Sequence, residues 1–247
     1  MSRRLRLDAE LVRRGLARSR EQAAELIAAG RVEVGGTPAA KAATQVGGDA
    51  PITVRDAGAG PEYVSRGGHK LAGALAAFGG LVVAGRRCLD AGASTGGFTD
   101  VLLAAGAAHV VAADVGYGQL AWSLRTDPRV TVLDRVNVRG LQPEQVAPPP
   151  EVVTADLSFI SLTLVLPTLA ALVTPGGDLV LLVKPQFEIG RERLGRDGVV
   201  SSAQQRDEAV EAVSRAAGES GLTVESVVPS GLAGARGNVE YFLWARR

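Results

Sequence analysis

The sequence predicts an α/β protein: a doubly wound, mostly parallel sheet preceded by a small domain of short helices and strands. Three observations lead to this prediction. From residue 64 onward, apolar strand patterns alternate with helix patterns, a glycine-rich turn joins the first such strand to a helix, and the first 60 residues form a basic segment with its own turns. A chain of 247 residues is long enough for one ordinary domain and one small one.

The first segment, residues 1–60, is predicted to be an α+β domain. Its apolar spacing indicates two short amphipathic helices between residues 5 and 27, the second starting at Ser19. Gly30 ends that helix, RVEVGG is typical of a strand closed by a Gly-Gly turn, and another strand is expected at residues 51–54. Residues 61–64 follow a Gly- and Pro-rich stretch and are predicted to link this domain to a larger one, residues 65–247.

Seven strands and several helices are expected in the larger domain. The strand patterns are RRCLDAG, HVVAADV, RVTVLD, EVVTADLSF, GDLVLLVKP, TVESVV and VEYFLWA. The helix patterns are GGFTDVLLAAG, GQLAWSLRT, SLTLVLPTLAALV and SSAQQRDEAVEAVSRAAGESG, and SRGGH is expected to form a turn before a further helix. In sheets of this kind ligands bind at the carboxyl ends of the strands.

The composition argues against several classes of protein. The single cysteine, Cys88, permits neither an intramolecular disulfide nor a cysteine cluster of the kind that binds zinc, and no metal is expected. The amino terminus lacks the apolar stretch of a signal peptide, and no apolar run is long enough to span a membrane. We therefore expect a soluble protein of the reducing cytoplasm.

The turn DAGASTGGF carries the clearest chemical signal. Gly92, Gly96 and Gly97 would let the backbone approach a ligand closely. About twenty residues later, Asp114 ends the next strand, where a carboxylate can accept hydrogen bonds from ribose hydroxyls. The turn lacks the GxGxxG of dinucleotide sites, and Asp90 would repel a pyrophosphate but tolerate the ammonium and sulfonium of S-adenosylmethionine. The pattern favours S-adenosylmethionine over a nicotinamide, and over a turn that serves packing alone.

Four ionisable residues stand at the expected ligand edge. Lys70 lies at the start of a helix, Asp156 ends EVVTAD, Lys184 ends LVLLVKP, and Glu240 begins the last strand. Any one of them alone would more often be structural or solvated than catalytic. Lys184 is the sharpest candidate, because five apolar residues, 179–183, precede it and its ammonium should emerge at the mouth of a buried strand.

These stretches resemble a known family. Residues 64–247 are similar to the FtsJ-like ribose 2′-O-methyltransferases, and the whole chain resembles the TlyA family, which includes hemolysin A-like proteins. The matching stretches are SRGGHKL, LDAGASTGGFTDVLL, DVGYGQL, DLSFISL, LLVKPQFE, GVV and GNVEYFLW, and the segment RLDAELVRRGLARSREQAAELIAAGRVEVGG resembles an S4 RNA-binding domain. TlyA proteins often carry a tryptophan in the interdomain linker, whereas this chain has PEYV there, so family properties of that linker transfer less directly.

The resemblance implies a Rossmann-like S-adenosylmethionine-dependent methyltransferase that acts on ribosomal RNA or ribosomal subunits, with the 2′-hydroxyl of a cytidine as acceptor. It implies a Lys-Asp-Lys-Glu catalytic tetrad at Lys70, Asp156, Lys184 and Glu240. The expected cofactor contacts are Asp90, Gly92, Ala93, Ser94, Gly96, Gly97, Phe98, Asp114, Val115, Tyr117 and Asp156. The expected RNA contacts are Arg4, Arg6, Arg13, Arg14, Arg18, Arg20, Arg31 and Arg66, whose charges would bind phosphates. Without the S4 resemblance, an ordinary solvated helix face would explain the amino-terminal arginines equally well.

A ribose hydroxyl is a poor nucleophile at neutral pH, so an enzyme of this kind must help to remove its proton. Lys184 is expected to do so, with Lys70 as a second positive charge that lowers the pKa of the base and stabilises the developing alkoxide. Asp156 and Glu240 would orient the two amines, and Asp156 would also touch the methionyl amine. The alternatives are a non-catalytic RNA-binding or ribosome-assembly protein, a membrane-active hemolysin and, with less support, a pseudouridine synthase.

Overall fold

The computed structural model describes residues 4–28, 30–54, 63–190, 193–195 and 197–247. Contacts divide the chain into two units, Met1–Glu62 and Tyr63–Arg247. We propose that these units are the two domains predicted from the sequence. The predicted linker, 61–64, lies partly outside the described residues. Its last two residues belong to the second unit, where the Val64 N–H donates to Asp100 Oδ2 at 2.8 Å.

The first unit is a small α+β structure. Its described elements are β1 (Leu5–Arg6), α1 (Leu7–Arg13), α2 (Arg20–Ala28), β2 (Val32–Val34), β3 (Thr37–Pro38), β4 (Gln45–Val46) and β5 (Ile52–Val54). β1 pairs with β4, and β2 pairs with β3 and β5, always antiparallel. The Ser19 hydroxyl accepts the Gln22 N–H at 3.1 Å, which confirms the predicted start of α2. Buried apolar residues of α1 and α2 form the core with Val32 and Val46.

The second unit alternates strands and helices. Its described elements are α3 (Arg66–Ala77), β6 (Arg87–Ala91), α4 (Gly97–Ala104), β7 (His109–Asp114), α5 (Trp122–Arg125), β8 (Val130–Asp134), α6 (Pro143–Val146), β9 (Val152–Ala155), α7 (Leu166–Leu172), β10 (Asp178–Val183), α8 (Pro185–Glu188), α9 (Ala203–Glu219), β11 (Thr223–Pro229) and β12 (Tyr241–Arg246). None of the helices in the described ranges has the length and apolar character needed to cross a bilayer.

The described strands of this unit form one sheet in the order β11-β12-β10-β9-β6-β7-β8. Neighbours from β10 to β8 run parallel, whereas β12 runs antiparallel to both β10 and β11, so the prediction of a mostly parallel sheet is confirmed. Starting from β6, the chain adds β7 and then β8 on one side of this strand, and later adds β9 and then β10 on its other side. This reversal leaves a crevice beyond the carboxyl ends of β6 and β9, where ligands bind in such folds.

Alternate residues of the strands face two separate apolar clusters. One cluster joins one side of the sheet to α7 and α9, and the other joins the opposite side to α3 and α4. β10 is buried along its whole length, as expected of a central strand that is covered on both faces.

Several predicted boundaries were wrong. Residues 66–69 of the predicted turn SRGGH belong to α3, which begins at Arg66 after the N-cap Ser65, so Lys70 lies one turn inside the helix. The helix predicted in GQLAWSLRT is only Trp122–Arg125, and the first four residues, which begin with Gly118 at a φ of +68°, are not helical. The predicted helix at 161–173 is divided into a 3₁₀ turn and α7, whose first turn carries a proline that cannot donate a backbone hydrogen bond.

Two site residues that the sequence placed inside strands lie just outside them. β9 ends at Ala155, one residue before Asp156, and β12 begins at Tyr241, one residue after Glu240. Both side chains therefore occupy the edge of the sheet rather than its pleated surface.

Candidate active site at the carboxyl edge of the sheet

A cavity of about 530 Å³ opens at the crevice between β6 and β9. Its volume is in the range of small-molecule sites. The described residues that line it are Gly92, Ser94, Asp114, Val115, Gln119, Val136, Asn137, Val138, Asp156, Leu157, Ser158, Phe159, Ile160 and Val165. Two carboxylates are among these lining residues, and no lysine, arginine or histidine is. The cavity therefore suits a ligand that carries positive charge better than a pyrophosphate.

Gly92 and Ser94 of the glycine turn line the cavity, and two glycines of the turn have no space for a side chain. Gly92 has φ +86°, and a Cβ at this position would overlap the Asp156 carbonyl group. Gly96 has φ +99°, and a Cβ there would overlap Leu120 and Leu124. Both positions thus require glycine for the backbone conformation and for packing against the protein, and the close approach of the turn to a ligand stays a prediction.

Asp114 is fixed at the end of β7 by backbone donors. Its Oδ2 accepts the N–H of Ser94 at 2.8 Å, and its Oδ1 accepts the N–H of Gly116 at 2.7 Å. Each carboxylate oxygen keeps a second lone pair for a ligand hydroxyl. Gln119, which the sequence analysis missed, also lines the cavity and lies 3.4 Å from the Ser94 hydroxyl.

The two residues expected after Asp114 are both exposed. Val115 lines the cavity, whereas Tyr117 is not among the lining residues and stacks against the Arg135 guanidinium at 4.3 Å. Phe159, which the sequence analysis did not single out, is 89% exposed on the cavity wall, with a φ of +64° that is rare for an aromatic residue. Exposed aromatic rings therefore stand close to the site.

Asp90 is not a cavity residue. It is completely buried, and its carboxylate accepts the hydroxyl protons of Thr99 at 2.7 Å and Thr154 at 3.3 Å. Burial raises the pKa of Asp90 to about 7, and the nearby carboxylate of Asp156 adds to the increase. Asp90 therefore supports the turn from within the protein, and its contact with a cofactor stays a prediction.

Four other members of the expected cofactor set are buried. Ala93, Gly96, Gly97 and Phe98 are absent from the described cavity lining. Phe98 packs against Phe242, with ring centroids 5.9 Å apart. A Cβ on Gly97 would lie 2.8 Å from the Gly68 nitrogen, so the glycines bring α3 and α4 into close contact. That contact positions the first turns of α3, from which Lys70 projects.

The four ionisable residues form two lysine–carboxylate pairs. Lys70 Nζ donates to Glu240 Oε2 at 2.6 Å, and the Lys184 ammonium contacts the Asp156 carboxylate. Lys184 also donates to the Ser158 hydroxyl at 3.1 Å. Both lysine side chains are only 11% exposed.

Strand register brings the two pairs next to each other. Val183 of β10 lies opposite Tyr241 of β12, so the residues just beyond these ends, Lys184 and Glu240, are also neighbours across the two strands. Asp156 follows β9, the other neighbour of β10. The carboxyl end of β10 thus stands between the two acids.

Two further contacts hold this arrangement in place, and neither was anticipated from the sequence. A Cβ on Gly234 would lie 3.0 Å from Glu240 Cγ and would overlap the carboxylate. Glu188, at the end of α8, accepts the Ser161 hydroxyl proton at 2.5 Å and the Leu162 N–H at 2.9 Å. Glu188 therefore joins the loop after Asp156 to the helix after Lys184, and burial raises the pKa of its carboxyl group.

The arginines expected to bind RNA have different surroundings. Arg6 and Arg20 both donate to Asp8, and Arg13 and Arg14 both donate to Glu10. Arg14 also donates to the carbonyls of Ala50 and Gly48, which makes it largely structural. Arg4 and Arg18 are exposed, and Arg31 is half-buried. Arg66, in the second unit, donates to the Ala233 carbonyl at 2.9 Å.

Comparisons with known proteins agree with these features. Residues 63–247 match the family described as FtsJ-like methyltransferase, and residues 5–52 match the S4 domain. The 16S/23S rRNA (cytidine-2′-O)-methyltransferase TlyA of Mycobacterium tuberculosis is 61% identical over 246 residues, which cover 100% of this chain and 91% of that protein. YqxC of Bacillus subtilis, named as a candidate rRNA methyltransferase, is 42% identical over 98% of this chain and 85% of its own length. The solved structure of a candidate hemolysin from Streptococcus thermophilus matches with a TM-score of 0.79 and 38% identity, covering 100% of this chain and 90% of that one.

Proposed function

Because the chain belongs to the FtsJ-like methyltransferase family, and within it to the TlyA proteins, we propose that it methylates ribosomal RNA at the ribose 2′-hydroxyl of cytidine, with S-adenosylmethionine as the methyl donor. The observation that carries the proposal is the convergence of two lysine–carboxylate pairs at the ends of β9, β10 and β12, beside an acidic cavity. Ribosomal RNA as substrate would also place the protein in the cytoplasm.

The cavity supports this choice of cofactor. Asp114 keeps acceptor capacity for the ribose hydroxyls, and Asp156, a quarter of whose side chain is exposed, can bind an ammonium group. No basic residue among the described cavity residues would oppose a cationic ligand. S-adenosylmethionine, when bound, supplies an electrophilic methyl group on a positively charged sulfur.

The residues of the chain have separate tasks in the proposed mechanism. Lys184 is the proposed base that takes the proton from the ribose 2′-hydroxyl, while Asp156 and Ser158 hold its Nζ in position. Lys70, paired with Glu240, presents a positive charge that stabilises the negative charge developing on the ribose oxygen. The burial of both lysines keeps competing water away from the transferred proton.

Two features outside the catalytic pairs support RNA as the substrate. Exposed arginines of the first unit offer charge to phosphates. Tyr117 and Phe159 present exposed rings close to the cavity, and aromatic faces of this kind stack with unpaired bases.

The proposal is tested with the purified chain and S-adenosylmethionine labelled on its methyl group. Small subunits, large subunits and the two deproteinised RNAs are incubated separately, and the modified nucleotide is mapped and digested to nucleosides. We expect 2′-O-methylcytidine. Label on a base, or no label on any of the four substrates, would overturn the proposal.

Lys184→Ala distinguishes the enzyme from a non-catalytic assembly protein. The variant should bind RNA as before but lose methyl transfer by about 100-fold or more, the range of general acid–base catalysis. Asp127→Asn, which changes an ion-paired residue just before β8, is the control and should retain activity. If Lys184→Ala transferred methyl groups as fast as the parent chain, Lys184 would not be the base. Release of dye from liposomes by the purified chain would instead favour the membrane-active alternative.

A further inference from the structure

Asp8, in the first turn of α1, is an acid at the centre of the basic amino-terminal segment. It is only 5% exposed. Its Oδ1 accepts Arg6 Nε at 3.1 Å and the Ala9 N–H at 2.8 Å, and its Oδ2 accepts Arg6 Nη2 and Arg20 Nη2, each at 2.9 Å. One buried carboxylate therefore holds two arginines, one from β1 and one from the start of α2.

Both arginines keep accessible donors. Their side chains are 47% and 59% exposed. Within the described part of the chain, Nη1 of Arg6 and both Nε and Nη1 of Arg20 have no protein acceptor. A guanidinium has five N–H donors, so each arginine can bind Asp8 and an external anion at the same time.

The neighbouring acid, Glu10, provides a contrast. It is completely buried and also binds two arginines, Arg13 and Arg14. Arg14 donates its remaining hydrogen bonds to backbone carbonyls and is only 22% exposed, so this group ties the unit together. Asp8 differs because both of its arginines keep N–H donors that no acceptor in the described part of the chain binds.

We propose that Asp8 is a positioning residue for RNA binding: it holds Arg6 and Arg20 as a preorganised pair that binds backbone phosphates. The inference rests on the proposed function, which makes RNA the partner. An exposed arginine that must be ordered on binding weakens affinity by roughly two- to tenfold, because rotamer freedom is lost. Asp8 removes much of this loss for two arginines before the RNA arrives.

The sign of one substitution separates this role from simple electrostatics. As a negative charge beside an RNA surface, Asp8 alone would repel phosphates, so Asp8→Asn should then strengthen binding. As a positioning residue it acts through Arg6 and Arg20, and the same change should weaken binding by about tenfold.

The experiment measures binding of the full chain to deproteinised 23S ribosomal RNA, without cofactor, at about 0.1 M salt. Asp8→Asn should raise the dissociation constant about tenfold and raise the KM for RNA more than it lowers kcat. Asp127→Asn, which changes another arginine-paired acid, in the second unit, is the matched control and should leave the dissociation constant unchanged. In a chain that already carries Arg6→Gln and Arg20→Gln, adding Asp8→Asn should change affinity by less than about twofold.

Equal or tighter RNA binding by Asp8→Asn overturns the inference. So does a similar loss of RNA affinity when Asp8→Asn is added to the chain in which both arginines are already replaced. Thermal unfolding of each variant checks the fold. If Asp8→Asn does not fold, Arg6→Gln and Arg20→Gln decide the question, since each must weaken binding, and unchanged affinity in either variant would refute the paired phosphate role. A parent chain that binds the RNA but methylates no RNA would contradict the proposed function and leave the positioning role standing.

Discussion

A single methyl group at Gly92 should slow methyl transfer strongly while leaving the fold largely intact. Gly92 has φ +86°, where an alanine is strained by about 1–2 kcal/mol. Its Cβ would also lie 3.1 Å from the Asp156 carbonyl carbon and 3.0 Å from a Leu157 methyl, and would overlap the Asp156 oxygen. Such overpacking typically costs about 1–3 kcal/mol and forces the backbone to move. The residue that must move carries the carboxylate of the Lys184 pair.

A displacement approaching 1 Å at a reacting group can lower the rate by about 100-fold. Gly92→Ala should therefore reduce kcat/KM for methyl transfer by about two orders of magnitude and weaken cofactor binding. Each kcal/mol of lost stability should lower the melting temperature by only about 2–4 °C in a unit of this size. The assays are labelled methyl transfer, calorimetric titration of S-adenosylmethionine and thermal unfolding.

The matched control is Gly221→Ala. Gly221 has φ +78°, but a Cβ there would meet no atom within 4 Å. It carries the same backbone strain without the collision, so its activity should stay within about twofold of the parent chain and its loss of stability should be limited to the strain of about 1–2 kcal/mol. Methyl transfer by Gly92→Ala within about threefold of the parent chain would refute the proposed link between the turn and Asp156.

Three further predictions concern buried groups. The pKa of Asp90 is raised from the ordinary 3.8 to about 7, so the folded state favours the protonated carboxyl group. The resulting contribution to the free energy of unfolding is complete below about pH 4 and is lost as the pH rises to about 7, a decrease of up to about 4 kcal/mol. Asp90→Asn should reduce the difference between the free energies of unfolding measured with denaturant at about pH 5 and pH 8. An equal difference in variant and parent would contradict this prediction. Gly234→Ala should displace the Glu240 carboxylate and lower methyl transfer at least about tenfold, whereas Gly231→Ala, where a Cβ meets open space, should not; similar rates for both would remove the steric argument. Cys88 is completely buried, and burial raises its thiol pKa to about 12, so the native chain should not react with a thiol reagent at about pH 8 and should release one thiol after unfolding. Rapid reaction of the native chain would show that the strand around it opens.

Asp90 shows where reasoning from the sequence stopped short. Its position before the glycine turn suggested a charge that faces the cofactor, but strands alternate their side chains between two faces, and this one points inward to Thr99 and Thr154. The spacing to the turn was visible in the sequence. The hydroxyl partner on β9 was not, because it depends on which strand lies beside β6.

The amino-terminal arginines give a similar result. Their number indicated a basic surface, yet Arg14 is tied to backbone carbonyls, whereas Arg6 and Arg20 share a buried acid and keep donors accessible. Charge can be counted along a chain, but exposure depends on how helices and loops pack.

By itself the sequence determined what local pattern can determine. Apolar periodicity specified the strands and the main helices, and glycines specified the turn, because each depends on residues within a few positions of one another. The sequence also placed Lys70, Asp156, Lys184 and Glu240 near the ends of elements, and the family resemblance suggested that they act together.

Only the tertiary structure decided which of these residues pair. Lys70 and Glu240 are 170 residues apart, and their 2.6 Å contact requires β12 to lie antiparallel beside β10 in one register. A shift of that register by one residue would turn the side chains of β12 to the opposite face and move Glu240 away from Lys184. Register and strand order are set by the packing of the whole sheet, which no single segment of the chain contains.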